Sequence, residues 1–220
     1  MSKYEYVVMD MDGTLVDTEK THNEIFDYYF SHNYTDFPIR EVMAQGMGGS
    51  MFSICRRSGM SDEKIAEMLT DLSKFYLLEE CEKYYRSLVL IDGAKEVIKT
   101  LIDNKMPVAL ISNSLRSLVE TIMKKNGVYD LFNVVIGSGV YTQSKSENFK
   151  KLIEDKKLNP KKVLYLGDYE GDVKVSRECG IDCCILYTPI SWTRSLDDLL
   201  SDPGPDYVIK HIEKFLNIAL

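Results

Sequence analysis

The sequence predicts an α/β fold in which a parallel sheet is flanked by helices and carries an inserted α-helical cap domain. Three observations support this. Short apolar runs of strand character recur along the chain, amphipathic helical patterns separate the later runs, and one long segment near the N-terminus drops the strand rhythm. Strands alternating with helices at this spacing give a largely parallel, Rossmann-like sheet.

The elements follow in chain order. The first strand is "YEYVVM" at 4–9. Residues 18–88 come next; they are rich in Tyr, Met and Glu and helically periodic throughout, as in "SDEKIAEMLTDLSKFYLLEECEKYYRSL". That length suits a small helical bundle inserted after the first strand, so the expected division is a core of 1–17 plus 89–220 and a cap of 18–88. The later strands are "PVALIS" at 107–112, "NVVIG" at 133–137, "KVLYLG" at 162–167 and "DCCILY" at 182–187. Between them lie the helical patterns "GAKEVIKTLIDN", "LRSLVETIMKKNG", "ENFKKLIEDKK" and "DVKVSRECG", and "DYVIKHIEKFLNIAL" closes the chain as an edge strand and a helix. The three glycines of "QGMGGS" have no strand before them and no Lys-Ser/Thr after them, which fits a turn between cap helices and not a nucleotide loop.

Composition narrows the function. The 220 residues are 45% hydrophobic and 28% charged, values of a soluble globular protein. A net charge of -7 argues against general binding to nucleic acid or anionic membranes, so an anionic ligand needs a local cationic site. The start "MSKYEYVVMD" lacks a signal-peptide pattern and no uncharged apolar run is long enough to span a bilayer; a cytoplasmic monomer or homodimer is expected. Five cysteines cannot complete a disulfide framework, and Cys179, Cys183 and Cys184 read as small buried hydrophobes.

The chemistry is concentrated at the strand ends, where open parallel sheets bind ligands. The first strand runs into Asp10 and Asp12, whose i, i+2 spacing turns both carboxylates to one side. Ser112 and Asn113 end the second strand, Lys145 follows the third after a loop with Gly137 and Gly139, and Asp168 ends the fourth with Asp172 one turn later. Two unit charges about 4 Å apart repel by about 4 kcal/mol at an effective dielectric near 20, so such a cluster calls for a cation. Oxygen ligands without His or Cys select a hard ion, Mg²⁺ before others. A carboxylate beside a metal can attack phosphorus, and its neighbour can pass a proton to the leaving oxygen. Ser112, the amide of Asn113 and Lys145 would then hold the phosphoryl oxygens.

With "DMDGT" at 10–14, "SN" at 112–113, Lys145 and "GDYEGD" at 167–172, the chain resembles the haloacid dehalogenase-like superfamily of phosphatases, in the phosphoglycolate phosphatase-like subgroup with a helical cap. The resemblance implies Asp10 as nucleophile and Mg²⁺ ligand, and Asp12 as general acid/base whose backbone carbonyl also meets the metal. It implies Ser112 and Lys145 at the phosphate, Asp168 as a direct metal ligand and Asp172 as an outer one. Ser146 stands where the family often has proline, which leaves Lys150 and Lys151 as alternatives to Lys145. The expected substrate is a small organic phosphate monoester such as phosphoglycolate or a sugar phosphate. The alternatives are a β-phosphoglucomutase-like sugar-phosphate mutase and a non-catalytic phosphate- or metal-binding module. In the cap, His22, Arg56, Arg57 and Lys64 are the candidate substrate contacts, with a hinge near 17 and 88–92.

Overall fold

The computed structural model describes residues 2–34, 36–38, 41, 55–56, 58–76, 78–138, 144–193 and 195–220, the side chains of 79 and 80 apart. Arg57, Gly139 and the "QGMGGS" stretch lie outside the described residues.

Six strands form one sheet in the order β3-β2-β1-β4-β5-β6. They are β1 (Tyr6–Met9), β2 (Val108–Leu115), β3 (Val134–Ser138), β4 (Val163–Gly167), β5 (Asp182–Leu186) and β6 (Tyr207–Ile209), and every neighbouring pair is parallel. The fold is therefore the expected α/β sheet flanked by helices. β1 and β4 are buried along their whole length, which is why they read as unbroken apolar runs instead of alternating ones.

Strand periodicity divides the core into two layers. Val7, Met9, Leu110, Leu164 and Leu166 point to one face. There they meet α4 (Ala94–Asp103) through Val97, Ile98 and Leu101, and α5 (Arg116–Lys125) through Val119, Ile122 and Met123. Tyr6, Val8, Ala109, Ile111 and Tyr165 point to the other. Phe149 and Leu152 of α6 (Lys145–Lys156) and Val173 of α7 (Glu170–Cys179) cover that face.

Between β1 and α4 the named elements among the described residues are α1 (Glu19–Asn33), α2 (Asp62–Tyr76) and α3 (Glu79–Tyr85), with no strand among them. Ile25, Phe26, Tyr29 and Phe30 of α1 pack in the same apolar cluster as Ile65, Met68, Leu69 and Leu72 of α2. The two chain connections to this unit are tied together. Val16 bridges Leu90 in antiparallel sense, and the Ile91 amide donates to Leu15 O at 2.9 Å.

Most strand ends shift by one or two residues from the sequence reading, and three boundaries bear on the site or the end of the chain. β2 continues to Leu115, so Ser112 and Asn113 lie inside the strand and do not end it. α6 starts at Lys145, two residues before the expected pattern, because Ser144 and Glu147 form a capping box. The closing helix is divided between a 3₁₀ turn at Ile212–Phe215 and a short α8 (Leu216–Ala219). All five cysteines are free and buried. Among the described residues, no helix is long and apolar enough to cross a membrane.

Candidate active site

The end of β1 is built to present carboxylates. The Asp10 amide still donates to Leu166 O of β4 at 2.9 Å, so the strand is held up to this residue. The chain then turns tightly, with the amides of Leu15 and Val16 both donating to Met11 O at 2.8 and 3.0 Å. Gly13 takes φ +72° in this turn, and a Cβ there would collide with the Asp168 carboxylate and lie 2.8 Å from Trp192 Cδ1. Only glycine allows both the turn and the close approach of Asp168.

Around this turn the structure gathers Asp10, Asp168 and Asp172, whose carboxylate oxygens lie within 4.8 Å of one another. Lys145 Nζ is 2.8 Å from Asp10 Oδ2 and 2.8 Å from Asp172 Oδ1. Lys145 is 5% exposed, whereas Lys150 and Lys151 are exposed on α6, the latter paired with Asp155. The lysine at the carboxylates is thus Lys145, brought inward by its place in the first turn of α6.

Each carboxylate has its own surroundings. Asp172 is fully partnered: Oδ1 accepts from Lys145 and from the Tyr165 hydroxyl at 2.6 Å, and Oδ2 accepts from the amides of Asp168 and Tyr169 at 3.0 and 3.3 Å. Asp168 accepts from the Thr14 hydroxyl at 3.3 Å and from the Trp192 amide at 2.5 Å. Asp10 is different, because its Oδ1 is buried and has no hydrogen-bond partner. Asp12 does not join the triad with its side chain. Its Oδ2 accepts from the hydroxyls of Ser112 and Ser114, both at 2.8 Å, and its Oδ1 lies 3.2 Å from His22 Nε2.

The electrostatics follow from these contacts. Burial pushes Asp10 up to about 7, against the pull of Lys145 and with the help of the Asp172 and Asp12 charges. Burial, then the charges of Asp172 and Asp10, also drive Asp168 well above the usual carboxylate range. Lys145 is held charged, since Asp10 and Asp172 outweigh the desolvation that would discharge it. Burial would raise Asp12 too, but hydrogen bonds from His22, Ser112 and Ser114 and the charge of His22 hold it at about 2. Two carboxylates two residues apart are therefore pushed in opposite directions.

The cap candidates separate. His22 is buried, touching Asp12 on one side and the Tyr76 hydroxyl with Nδ1 at 2.9 Å on the other. It thus meets the acid/base candidate directly. Arg56 is exposed and pairs with Asp62 at 3.3 Å, and Lys64 is exposed. Among the described residues, no contact brings either to the carboxylates. Asn113 is half-buried at the end of β2.

Several residues at the site escaped sequence reasoning. Ser114 could have been found, since it stands two residues from Ser112 on the same side of a strand. Thr14 lies inside the quoted first motif, and Tyr165 inside the fourth strand, without any role having been assigned. Tyr76 and Trp192 carry no local signal.

A parallel sheet with an acidic triad, a buried lysine and a fourth, hydrogen-bonded aspartate at its carboxyl edge defines a hydrolase of the phosphatase kind. The chain belongs to the haloacid dehalogenase-like hydrolase family, whose model matches residues 7–186. A phosphoglycolate phosphatase of Synechococcus elongatus is 26% identical over 205 residues, covering 93% of this chain and 92% of the relative. Pyrophosphatase PpaX of Bacillus mycoides is 25% identical over 224 residues, covering 98% and 97%. Among solved structures, a haloacid dehalogenase-like family protein of Streptococcus pneumoniae superposes with a TM-score of 0.79 over 99% of each chain at 20% identity, a likeness of fold.

Proposed function

We propose that the protein is a Mg²⁺-dependent phosphatase of small organic phosphate monoesters that works through an aspartyl-phosphate on Asp10. The observation that carries this reading is the buried, unpartnered Oδ1 of Asp10, set beside a charged lysine and two further carboxylates. An orphaned carboxylate oxygen at 4% exposure is costly unless a cation or an electrophile uses it.

The donor set fits a hard divalent ion, since it is made of carboxylate oxygens alone. Asp10 and Asp168 would hold Mg²⁺, with the Asp12 backbone carbonyl beside them. Asp172, whose four hydrogen bonds already engage both oxygens, would orient Lys145 and the loop after β4. When bound, the ion supplies positive charge that lets the carboxylates stay ionised together and lowers the repulsion between them and an anionic phosphoryl group.

In the first half-reaction Asp10 attacks phosphorus, the ester P–O bond breaks, and the leaving oxygen takes a proton from Asp12. In the second, Asp12 takes a proton from water as that water attacks phosphorus, which releases inorganic phosphate and restores the Asp10 carboxylate. Asp12 is a carboxylate in the free chain, held at about 2 by its donors. That suits the base of the second step. For the first step it must gain a proton, from solvent or from a phosphate ester that binds as its monoanion, and Ser112 can favour that gain. Its hydroxyl has one hydrogen, now given to Asp12, and turning it to a phosphoryl oxygen would remove one of the bonds that keep Asp12 ionised. Lys145 and the Asn113 amide would hold the remaining phosphoryl charge.

The test is phosphate release from phosphoglycolate, pyrophosphate, hexose phosphates, nucleotides and an aryl phosphate, with and without Mg²⁺, beside an Asp10→Asn control. Release that requires both Mg²⁺ and Asp10 is expected. Release that survives loss of Asp10 would remove it as nucleophile, and no release from any compound would turn attention to phosphoryl transfer within a sugar phosphate.

A further inference from the structure

Trp192 is the single tryptophan of the chain, and its position is held from both sides. Before it, the Ser191 hydroxyl donates to Leu186 O at 2.6 Å; after it, the Thr193 hydroxyl donates to Glu170 Oε1 at 2.5 Å. Its own amide donates to Asp168 at 2.5 Å. The backbone that carries the indole is therefore held at three points.

The side chain occupies the space between two parts of the site. Its Cδ1 lies against Gly13, in the turn that carries Asp10 and Asp12. Its ring meets the His22 ring edge-on, with centroids 6.0 Å apart at 86°. His22 in turn lies 3.2 Å from Asp12. Yet the indole Nε1 is buried and has no hydrogen-bond partner. Tryptophan N–H is a donor only and usually finds an acceptor when buried, so this group is left waiting for an oxygen.

We propose that the Trp192 indole N–H is a substrate contact that donates to an oxygen of the leaving group, making the enzyme prefer phosphate esters with an oxygen acceptor close to the ester bond. This rests on the phosphatase reading above. The leaving-group side is favoured because Trp192 shares its neighbours, Gly13 and His22, with Asp12, the residue placed to protonate the leaving oxygen. The phosphoryl oxygens have their own donors in Ser112, Asn113 and Lys145.

A single tryptophan gives a single indole signal in a proton–nitrogen correlation spectrum, so the contact is directly visible. The Asp10→Asn variant with Mg²⁺ would be titrated with phosphoglycolate, glycerol 3-phosphate, glucose 6-phosphate and pyrophosphate, and separately with phenyl phosphate. At least one of the first four should move the indole proton downfield, and phenyl phosphate should not. In parallel, Trp192→Phe should lower kcat/KM for that oxygen-bearing compound about tenfold relative to phenyl phosphate, the size of one good hydrogen bond. No downfield shift with any of the four, or an equal loss for both kinds of ester, would overturn the proposal. Because the spectrum reads binding without turnover, it separates this outcome from failure of the phosphatase reading, which would show as no phosphate release by the native chain.

Discussion

At the residue scale, Asp10 and Asp12 show how two identical side chains on one turn acquire different chemistry. Asp10 has one unpartnered oxygen and is pushed up to about 7, while Asp12 has three donors and is held at about 2. Their roles separate in a variant. On the proposed roles Asp12→Asn keeps the nucleophile and removes the proton carrier, so an aryl phosphate with an electron-poor phenol, whose anion leaves without a proton, should still phosphorylate Asp10. Hydrolysis of that intermediate should then slow by about 10²-fold or more, because no base activates water. Intact mass after rapid quench would show a phosphoenzyme accumulating in the variant and not in the native chain; normal turnover by Asp12→Asn would take the acid/base role away from Asp12. These residues were legible in the sequence as a carboxylate pair at a strand end, which demands an explanation. The pleat spacing itself does not hold, because the tight turn after Asp10 sends the Asp12 side chain to Ser112, Ser114 and His22 and not to the triad. Ser114 does keep the i, i+2 spacing relative to Ser112 and was legible in principle. Trp192 and Tyr76 were not, since they reach the site by tertiary packing from segments whose local pattern says nothing about what they will face.

At the scale of elements, the sheet and its flanking helices could be read because each strand is short, apolar and bounded by an amphipathic pattern. The errors were at ends, where a single hydrogen bond decides. Ser144 is the clearest case. Its hydroxyl accepts from the Glu147 amide at 3.3 Å and its own amide donates to the Glu147 carboxylate at 2.7 Å, which begins α6 at Lys145 instead of two residues later. That start places Lys145 in the first turn, from which it reaches Asp10 and Asp172. A cap residue thus positions a lysine of the site. Ser144→Ala should cost about 1 kcal/mol of stability, the usual loss of a capping side chain. It should also raise KM more than it lowers kcat, because a frayed first turn weakens the hold on phosphate before it disturbs Asp10 or Asp12. Thermal unfolding and steady-state kinetics on the same sample would check both; a stability loss with unchanged KM would mean that Lys145 is placed by its ion pairs alone. The helices between β1 and α4 were legible as helices, but their contacts were not. His22 turned out to meet Asp12, and Arg56 an aspartate of its own unit, distinctions that depend on how α1 packs and not on residue type.

At the scale of the whole molecule, the carboxyl edge of the sheet sets catalytic chemistry against stability. In the chain without metal, Asp10 is raised to about 7, above the roughly 3.9 of an unfolded aspartate. Between those values the native chain retains a proton that the unfolded chain has released, so stability falls as pH rises and levels off above about 7. Asp168, also raised by burial and its acidic neighbours, adds a slope of the same sign. Asp12 has the opposite sign, but its contribution is lost only as pH falls below about 4 toward 2, outside the neutral window. Lys145, raised by its two carboxylates, loses its contribution only at strongly alkaline pH. The metal-free protein should therefore melt at lower temperature at pH 8 than at pH 5. Mg²⁺ should raise the melting temperature more at pH 8, because ion and protons compete for the same oxygens. Asp10→Asn removes the buried charge that drives the trend. It should make the metal-free profile shallower, leaving the share of Asp168, and exceed the native chain at pH 8 by on the order of 1–3 kcal/mol, although on the proposed mechanism it would not turn over. Melting curves of both proteins across pH 5 to 8, with and without Mg²⁺, would decide it. Parallel profiles for the two would mean that Asp10 ionises in the folded chain at no cost. The orphaned oxygen would then no longer argue for a cation at this edge.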